Sequence, residues 1–228
     1  MTKTRNQALI LFVKAPRPGT VKTRLQPQLT PPIALQLYRA MVEDLLDTLS
    51  TLSNCDIHIY YHPADGYEEV LSWLGTKWHF HSQQGEDLGA RMANAFADLM
   101  NQNYPKVVLA GSDIPSIDRQ TIEEAFNQLG ESDLVIGPCD DGGYYLIGMK
   151  QLHRQVFQDM TWSHSQVLEQ TLHRAQEAGL KIKQLAMKSD IDSFADVEEF
   201  WNNWQKTSAY ANHPVPKRTF QVLQKIFL

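Results

Sequence analysis

The chain has 228 residues and a mass of 26.0 kDa, with 21 Lys and Arg against 26 Asp and Glu, which gives a formal net charge of −5. A chain of this length buries a sizeable core and is most compatible with a single α/β domain. Its 43% hydrophobic and 21% charged residues exclude a disordered or fibrous protein, and a pI near 5.9 argues against non-specific nucleic-acid binding.

The first predicted element is a strand at residues 8–13, whose sequence is ALILFV. This apolar stretch has six residues and Lys14 follows it, so we interpret it as a strand rather than a signal peptide. No apolar run approaches the roughly 18–20 residues that span a bilayer. The two cysteines, Cys55 and Cys139, form no CxxC pair, which suits a reducing compartment. We therefore expect a cytoplasmic protein without a transmembrane segment.

Strand and helix patterns alternate along the rest of the chain. A long helix starts at the predicted N-cap Thr30, with Pro31 in its first turn, and continues to Leu52. The other predicted strands are 56–61, 78–81, 106–110, 133–137, 144–149 and 180–186, and the other helices lie near 67–74, 88–101, 119–129, 164–178 and 193–205. This alternation predicts a three-layer α/β/α sandwich with a mostly parallel central sheet.

The main domain is predicted to span residues 1–206, and residues 207–228 form an appended tail. The tail contains a short amphipathic helix with Phe220, Leu223, Ile226 and Phe227 on its apolar side. Two interpretations stay open: the helix docks on its own domain, or it forms a homodimer contact.

Basic residues are concentrated before position 43. The first acidic residue is Glu43, whereas residues 1–42 contain seven Lys and Arg. Four of these cations, Lys14, Arg17, Lys22 and Arg24, lie in the loop after the first strand, together with Gly19. Ligands of open α/β sheets bind beyond the carboxyl ends of the strands, so this loop is predicted to bind phosphate. It matches neither the Walker pattern nor GxGxxG.

Carboxylates follow two other strands. Asp113, in the segment GSDIP after strand 106–110, is placed to bind a hard cation such as Mg²⁺. In DIDSFAD after the last strand, Ser193 and Asp196 are explained as a capping box. That leaves Asp190 and Asp192 unexplained, and which of the two would be a second metal ligand stays open. The DxD spacing also resembles a phosphatase motif, although phosphatases of the haloacid-dehalogenase type have it after the first strand.

Two further loops are candidates for substrate contacts. The loop at 137–145 has adjacent carboxylates, Asp140 and Asp141, before Gly142, Gly143 and Tyr144. It is either a tight turn or an acceptor-binding loop, and at most one of the two carboxylates is expected to face a ligand. The segment at 83–91 either presents backbone donors near Gly85 and Gly89 to a nucleotide or is a loop in which Asp87 caps a helix.

Other polar and aromatic residues are assigned structural roles. The eight His form no HExxH or Cys/His cluster, so zinc catalysis is not indicated. The pairs His58/His62 and His79/His81 are expected to face solvent. The Trp162–Ser163 turn and the Trp201/Trp204 pair are interpreted as packing features.

Five segments taken together resemble the nucleotide-diphospho-sugar transferase superfamily with the glycosyltransferase-A fold. They are KAPRPGTVKTRL, QGEDLGARM, LAGSDIP, GPCDDGGYYLIG and DIDSFADV, and the resemblance covers roughly residues 7–205. The pattern looks like a bacterial glycosyltransferase-like family. The KTRL loop with the long helix that follows it is also similar to 2-phospho-lactate guanylyltransferase and, more distantly, to molybdenum-cofactor guanylyltransferase. The chain departs from sugar-nucleotide pyrophosphorylases in lacking GGxGTR, and from the usual glycosyltransferases in lacking a clean Asp-x-Asp.

The resemblance implies a nucleotide lying over the carboxyl edge of the sheet. It assigns Asp113 and Asp192 to a Mg²⁺ or Mn²⁺ ion, and Gly85, Leu88 and Gly89 to the base or ribose. We therefore expect a metal-dependent nucleotidyltransferase or glycosyltransferase that uses a nucleoside triphosphate or sugar nucleotide and a small-molecule acceptor. The alternatives are a non-catalytic nucleotide-binding protein and a phosphatase.

Each expected role falls on residues already described. Lys22 and Arg24, with Lys14 assisting, would stabilise the leaving group without a protein nucleophile. The expected catalytic residues are Lys22, Arg24 and Asp113; the nucleotide-binding residues are Lys14, Gly19, Lys22, Arg24, Gly85, Leu88 and Gly89; and the acceptor-binding residues are Asp141, Gly142, Gly143 and Tyr144.

Overall fold

The computed structural model describes residues 6–206 and 216–228. Its strands are β1 Gln7–Lys14, β2 Cys55–His62, β3 His79–Ser82, β4 Lys106–Ala110, β5 Leu134–Pro138, β6 Tyr144–Met149 and β7 Ile182–Gln184. Its helices are α1 Pro31–Leu49, α2 Tyr67–Leu74, α3 Leu88–Asn101, α4 Arg119–Gln128, α5 Val167–Glu177, α6 Phe194–Lys206 and α7 Lys217–Phe227.

The seven strands form one sheet in the order β3-β2-β1-β4-β6-β5-β7. β1 pairs in parallel with β2 and β4, β2 with β3, and β5 with β7. β6 lies between β4 and β5 and is antiparallel to both. As a result, the carboxyl ends of the parallel strands share one edge of the sheet with the loop that leads into β6.

Helices cover both faces of the sheet, which confirms the predicted three-layer α/β/α architecture. Alternate residues of β1 point to opposite faces, as the two-residue period of a strand requires. Leu9 and Leu11 pack in one core with side chains of α1, α2 and α4, whereas Ala8 and Ile10 pack in the other with α3 and the partly buried side of α5. The two cores hold the sheet in place between the helical layers.

Three elements differ from the sequence prediction by more than one residue at an end. α1 stops at Leu49 because tighter turns follow it, with the amide of Leu52 donating to the carbonyl of Leu49. α5 starts at Val167 rather than near 164, since Ser163 has a positive φ and His164 Nδ1 accepts the amide of Gln166. β7 is shorter than predicted, although the chain beyond it continues along β5 through an irregular bridge between Cys139 and Lys188.

The C-terminal helix α7 packs on the domain that precedes it. Leu223 is buried in a third apolar cluster with α1 and α6. At the start of α7, the Asp44 carboxylate of α1 accepts the backbone amides of Arg218 and Thr219 at 3.1 and 2.8 Å. The first part of the predicted tail, residues 207–215, lies outside the described residues, and a homodimer contact through the tail stays a prediction. Within residues 6–206 and 216–228, the structure contains no helix with the length and apolar character needed to cross a membrane.

Candidate functional site

A cavity of about 510 Å³ opens at the carboxyl edge of the sheet. The loops after β1 and β4, the hairpin between β5 and β6, the segment after β7 and the first turn of α3 all contribute to its walls. Of the sequence-predicted site residues, it is lined by Lys14, Lys22, Arg24, Leu88, Asp113, Asp141, Gly143, Tyr144 and Asp192. The fold therefore brings the basic loop and both acidic loops to one place.

The ammonium of Lys22 lies between the two acidic loops. Its Nζ atom is 3.0 Å from Oδ2 of Asp113 and 3.0 Å from Oδ1 of Asp192. It also donates to the carbonyl of Ile191 at 2.6 Å. The Lys22 side chain is only 4% exposed, whereas those of Asp113 and Asp192 are 40% and 36% exposed. A buried cation thus holds two carboxylates that remain open to solvent and ligand.

The backbone of the basic loop is shaped to bury Lys22. Its φ of 48° and ψ of 45° place it in the left-handed region, which is uncommon for a residue other than glycine. The short helical turn Thr23–Leu25 follows directly, and the flanking Val21 and Leu25 are buried. These apolar anchors support the strained backbone, as expected where local strain persists at a functional position.

Backbone contacts also fix the positions of the two acidic loops. The amide of Ile191 donates to the carbonyl of Asp113 at 3.1 Å, which ties one loop to the other. At the start of α6, the Asp196 carboxylate accepts the amides of Asp192 and Ser193, and the amide of Asp196 donates to Ser193 Oγ at 3.4 Å. The predicted capping box is thus present, and it holds the backbone at Asp192.

The charges in this cluster change one another's pKa. Burial disfavours a charged Lys22, but the carboxylates of Asp113 and Asp192 outweigh burial and raise the pKa of Lys22 above its usual value. Burial likewise disfavours a charged Asp192, but Lys22 and Arg24 outweigh it and lower the pKa of Asp192. Burial, then Asp192 and Asp141, raise the pKa of Asp190 to about 6. The ion pair therefore belongs to Asp192 rather than to Asp190.

Two other cations of the basic loop are also paired, which the sequence did not show. Arg17 forms two hydrogen bonds of 2.8 Å with Glu69 and an ion pair of 3.2 Å with Asp65, so its charge is neutralised by α2 and the turn before it. Arg24 Nη1 lies 3.2 Å from Oδ2 of Asp192. Lys14 lines the cavity, and its amide donates to Tyr38 Oη at 2.7 Å.

The hairpin between β5 and β6 is both a turn and part of the cavity wall. Asp141 lines the cavity, and its Oδ1 accepts the amide of Gly143 at 2.8 Å. Asp140 points elsewhere and accepts the hydroxyl of Ser189, so only one of the two carboxylates faces the cavity, as predicted. Gly142 has a φ of 87° and lies outside the cavity lining. The carbonyl of Ser165 occupies the space that a Cβ on Gly142 would need.

The segment before α3 combines its two predicted interpretations. Asp87 caps the helix by accepting the amide of Ala90 at 2.7 Å, and Leu88 lines the cavity with 40% of its surface exposed. Gly85 and Gly89 lie outside the cavity lining. A Cβ on Gly89 would lie 2.5 Å from the Trp162 ring, and one on Gly85 would meet the backbone of α3. The structure thus explains these two glycines by close packing. Gly19 also lies outside the cavity lining and has a φ of 81°.

Several cavity residues were missed or given another role by the sequence. His62 and Arg91 line the cavity, as do Trp162 and His164 of the turn that we interpreted as packing. The prediction that His58 faces solvent is wrong, because it is 3% exposed and contacts His81 at 3.1 Å. His62 ends β2, and Arg91 lies in the first turn of α3. Both could have been predicted from their position at the carboxyl edge of the sheet, which is how the basic loop was predicted.

The chemistry of the acidic loops fits a hard divalent cation. Asp113 and Asp192 offer solvent-accessible carboxylate oxygens to a common point, and Mg²⁺ in phosphate-binding sites commonly uses one or two carboxylates plus substrate phosphates and water. In the described part of the chain, no group of three or more His, Cys, Asp or Glu side chains is arranged to hold a metal alone. A metal here would therefore need the substrate to complete its coordination, and it would compete with Lys22 for the carboxylates.

Comparison with known proteins places the chain in a family. Residues 45–164 match the family described as "Uncharacterized protein conserved in bacteria (DUF2064)", which is more than half of the chain. The chain belongs to this family. A protein from Desulfovibrio desulfuricans G20, described as a nucleotide-diphospho-sugar transferase, is 34% identical and superposes with a TM-score of 0.87 over 97% of this chain and 98% of that one.

Two further relatives are more distant. The 2-phospho-L-lactate guanylyltransferase of Methanothermobacter thermautotrophicus is 26% identical over 195 residues, which cover 82% of each protein. A nucleotidyl transferase from Methanothermobacter is 16% identical, with a TM-score of 0.56 over 89% of this chain and 99% of that one, and shows the fold alone. These relatives confirm the expected superfamily and, at the level of enzyme class, a transferase of the DUF2064 family.

Proposed function

We propose that this DUF2064 protein is a divalent-metal-dependent nucleotidyltransferase. It would transfer a nucleotidyl group from a nucleoside triphosphate to a small acidic acceptor and release pyrophosphate. The observation that carries the proposal is the Lys22 ammonium held between Asp113 and Asp192 at the cavity. The 26% identical guanylyltransferase supports this choice of reaction and makes GTP the first donor to test.

In this reaction an acceptor oxygen forms a bond to the α-phosphorus. The bond between that phosphorus and the bridging oxygen of pyrophosphate breaks, and its electron pair leaves with pyrophosphate. A phosphate or carboxylate acceptor is already an anion at neutral pH, so it needs no general base. The protein contributes positioning and charge stabilisation rather than a nucleophile.

Asp113 and Asp192 would hold the metal. When bound, the metal would neutralise charge on the phosphates. Lys22 then has two roles that follow from its position: it keeps the two carboxylates together before the substrate binds, and it supplies a buried positive charge beside the reacting phosphates. Arg24, which is 68% exposed and contacts Asp192, orients that carboxylate from the solvent side.

The acceptor would bind at the hairpin between β5 and β6. Asp141, Gly143 and Tyr144 of this hairpin line the cavity, and the Asp141 carboxylate is fixed by the amide of Gly143. Leu88, which is exposed at the entry to α3, offers an apolar surface to the flat face of a base. The nucleotide would thus lie between α3 and the basic loop, with its phosphates toward Lys22.

Glycosyl transfer from a sugar nucleotide is the second candidate. The favouring observation is the 34% identity to a protein described as a nucleotide-diphospho-sugar transferase. The same cavity and the same carboxylates would hold a nucleoside diphosphate, but the bond broken would join the sugar carbon to the phosphate oxygen. The two reactions are distinguished by their products, pyrophosphate in one case and a nucleoside diphosphate in the other.

A thermal-shift screen of nucleoside triphosphates and sugar nucleotides, each with and without Mg²⁺ or Mn²⁺, tests the proposal. A ligand that binds the native state raises the melting temperature. We expect a triphosphate to do so only with metal, and the hit then to release pyrophosphate in the presence of small phosphorylated acids. Stabilisation without any transfer would indicate a non-catalytic binding protein. Phosphate release from a generic aryl phosphate would indicate a phosphatase, and either result would overturn the proposal.

A further inference from the structure

The cavity contains a second group of cations besides Lys22 of the Asp113–Lys22–Asp192 cluster. Lys22 and Arg24 are paired with carboxylates, and Arg17 is held by Glu69 and Asp65. By contrast, Lys14 and Arg91 line the cavity and form no ion pair with any acidic side chain within residues 6–206 and 216–228. The cations available to a ligand are therefore not the ones that the basic loop alone suggests.

Both cations lie near His62 at one corner of the cavity, since the charges of both act on its imidazole. Lys14 ends β1 and pairs in register with His62, which ends β2, so their side chains leave the same face of the sheet. Arg91 lies in the first turn of α3, the helix that covers this face, and it lines the cavity with both of them. The amide of Ala15 donates to the carbonyl of His62 at 2.8 Å, which keeps the two strand ends together.

The Arg91 side chain is held in one orientation, but only one of its guanidinium nitrogens donates a hydrogen bond within the described residues. Its Nε donates to the carbonyl of Gly85 at 3.2 Å, which fixes the plane of the guanidinium. A guanidinium has five N–H donors, and the two terminal nitrogens of Arg91 form no hydrogen bond among the described residues. Such a fork matches the two oxygens of a phosphate or carboxylate.

The electrostatics of the corner agree with this geometry. Burial and then the charges of Arg91 and Lys14 lower the pKa of His62, so its imidazole is neutral at neutral pH and can donate one N–H. Asp65 also faces His62, but it is shared with Arg17. Lys14 also helps to lower the pKa of Asp192, but neither Lys14 nor Arg91 forms an ion pair with a carboxylate in the described part of the chain, so the corner keeps two positive charges.

We infer that Lys14, His62 and Arg91 form a second anion-binding subsite, which binds a phosphate or carboxylate group of a substrate. The inference rests on the proposed function, because it places one charged group of a substrate in the same cavity. Two sources share this chemistry: the polyphosphate of the donor and the acid group of the acceptor. In either case Lys22 and Arg24 serve the metal-binding carboxylates, while Arg91 and Lys14 hold the anion directly.

Titration calorimetry on the whole protein and its Arg91→Gln variant tests the inference. The ligands are GTP with Mg²⁺, inorganic pyrophosphate, and phosphoglycolate as a small phosphorylated acid. Arg154→Gln is the control, since Arg154 is exposed and bonds to Asn94 at 3.3 Å away from the cavity lining. We expect Arg91→Gln to bind at least one of these anions about tenfold or more weakly than wild type. This is the loss of affinity expected when a hydrogen bond to a charged group is removed.

The pattern of losses identifies the source of the anion. If Arg91→Gln binds GTP and pyrophosphate more weakly than wild type but binds phosphoglycolate equally well, the subsite belongs to the donor. If only the binding of phosphoglycolate is weakened, the subsite belongs to the acceptor. Equal affinities of wild type and Arg91→Gln for all three ligands, an equal loss in Arg154→Gln, or no binding of any of the three by wild type would overturn the inference. Arg91→Lys separates the two features of the side chain, since it keeps the charge and loses the fork.

Failure of this inference is distinguishable from failure of the proposed function. If GTP binding depends on Mg²⁺ and on Asp113 but not on Arg91, the subsite is wrong and the function stands. If pyrophosphate binding depends on Arg91 while no nucleotide binds, the subsite stands and the proposed function is wrong.

Discussion

The Nζ atom of Lys22 lies 3.0 Å from Oδ1 of Asp192, although the two residues are 170 positions apart in the chain. One residue belongs to the loop after the first strand and the other to the segment after the last. Their contact closes the carboxyl edge of the sheet and brings the second carboxylate, Asp113, to the same ammonium. Part of the positive charge of the basic loop therefore holds the two acidic loops together.

Removing the Lys22 charge should separate metal binding from catalysis. In Lys22→Gln the carboxylates of Asp113 and Asp192 lose the cation that competes with Mg²⁺, so we expect Mg²⁺ alone to bind more tightly by calorimetry. Turnover should fall by about a hundredfold or more, because the buried charge beside the phosphates is lost. Arg17→Gln, in the same loop but paired with α2, should change neither quantity by more than a factor of about three. An unchanged affinity for Mg²⁺ in Lys22→Gln would show that Lys22 and Mg²⁺ do not compete for the two carboxylates.

The adjacent acids at 140 and 141 allow a matched test of the acceptor side. Asp141 faces the cavity, whereas Asp140 accepts the hydroxyl of Ser189. We predict that Asp141→Asn changes the Michaelis constant for the acceptor several-fold, and that Asp140→Asn leaves it within a factor of two. Steady-state kinetics with a fixed, saturating donor measures both. Equal effects of the two substitutions would mean that Asp141 does not contact the acceptor.

Gly89 should tolerate no side chain. A Cβ there would lie 2.5 Å from the Trp162 ring and 2.6 Å from the carbonyl of Phe157. Gly89→Ala forces α3 away from this turn, and we expect it to destabilise the protein by about 1–3 kcal/mol in urea unfolding. At Gly111 the nearest atom to a Cβ is 3.8 Å away, so Gly111→Ala should change stability far less. A Gly89→Ala protein as stable as wild type would show that Trp162 does not pack there.

Asp44 should hold the C-terminal helix in place. Its buried carboxylate accepts two backbone amides at the start of α7, while the nearby Asp47 is 68% exposed and forms one ion pair with Arg218. We expect Asp44→Ala to destabilise the protein by about 1–3 kcal/mol and to increase hydrogen exchange in α7 selectively. Asp47→Ala should cost at most about 1 kcal/mol. Similar exchange in both variants would argue against this anchoring role.

His58 should make stability fall in mild acid. Burial, then the nearby His79 and His81, lower its pKa from 6.5 to about 4. Below pH 6.5 the unfolded chain binds a proton that the folded protein does not, so the free energy of unfolding decreases until about pH 4. At pH 5 this amounts to about 2 kcal/mol. Urea unfolding between pH 7 and 5 should therefore show a smaller loss in His58→Gln than in wild type. His173→Gln, on the exposed side of α5, should retain the wild-type loss.

The fold was largely predictable because its signals are local. Hydrophobic periodicity located every strand to within a few residues, and the strand–helix alternation implied a mostly parallel sheet. The antiparallel β6 was not predicted, since strand direction between β4 and β5 depends on the whole sheet. The end of β7 was misjudged because the chain continues along β5 without regular pairing.

The site was predictable in its residues but not in its pairings. Lys22 and Asp113 were found because each follows a strand at the carboxyl edge, whereas the residues alone left Asp190 and Asp192 open and the family resemblance favoured Asp192. Which cation neutralises which acid depends on residues far apart in the sequence, such as Arg17 and Glu69, which are 52 positions apart. Arg91 was missed because its helix position gives no sign that its charge lacks a protein partner. Gly85 and Gly89 were given a ligand role because a glycine that allows close packing looks the same in a sequence as a glycine whose backbone approaches a ligand.

The most direct test of the central claim is the binding of GTP to wild type and to Asp113→Asn, measured by calorimetry with and without Mg²⁺. We predict that wild type binds GTP at least tenfold more tightly with Mg²⁺ and that Asp113→Asn loses this dependence while it still unfolds in one cooperative thermal transition. Binding of GTP that is equally Mg²⁺-dependent in both proteins would contradict the assignment of Asp113, Lys22 and Asp192 to a metal-assisted nucleotide site.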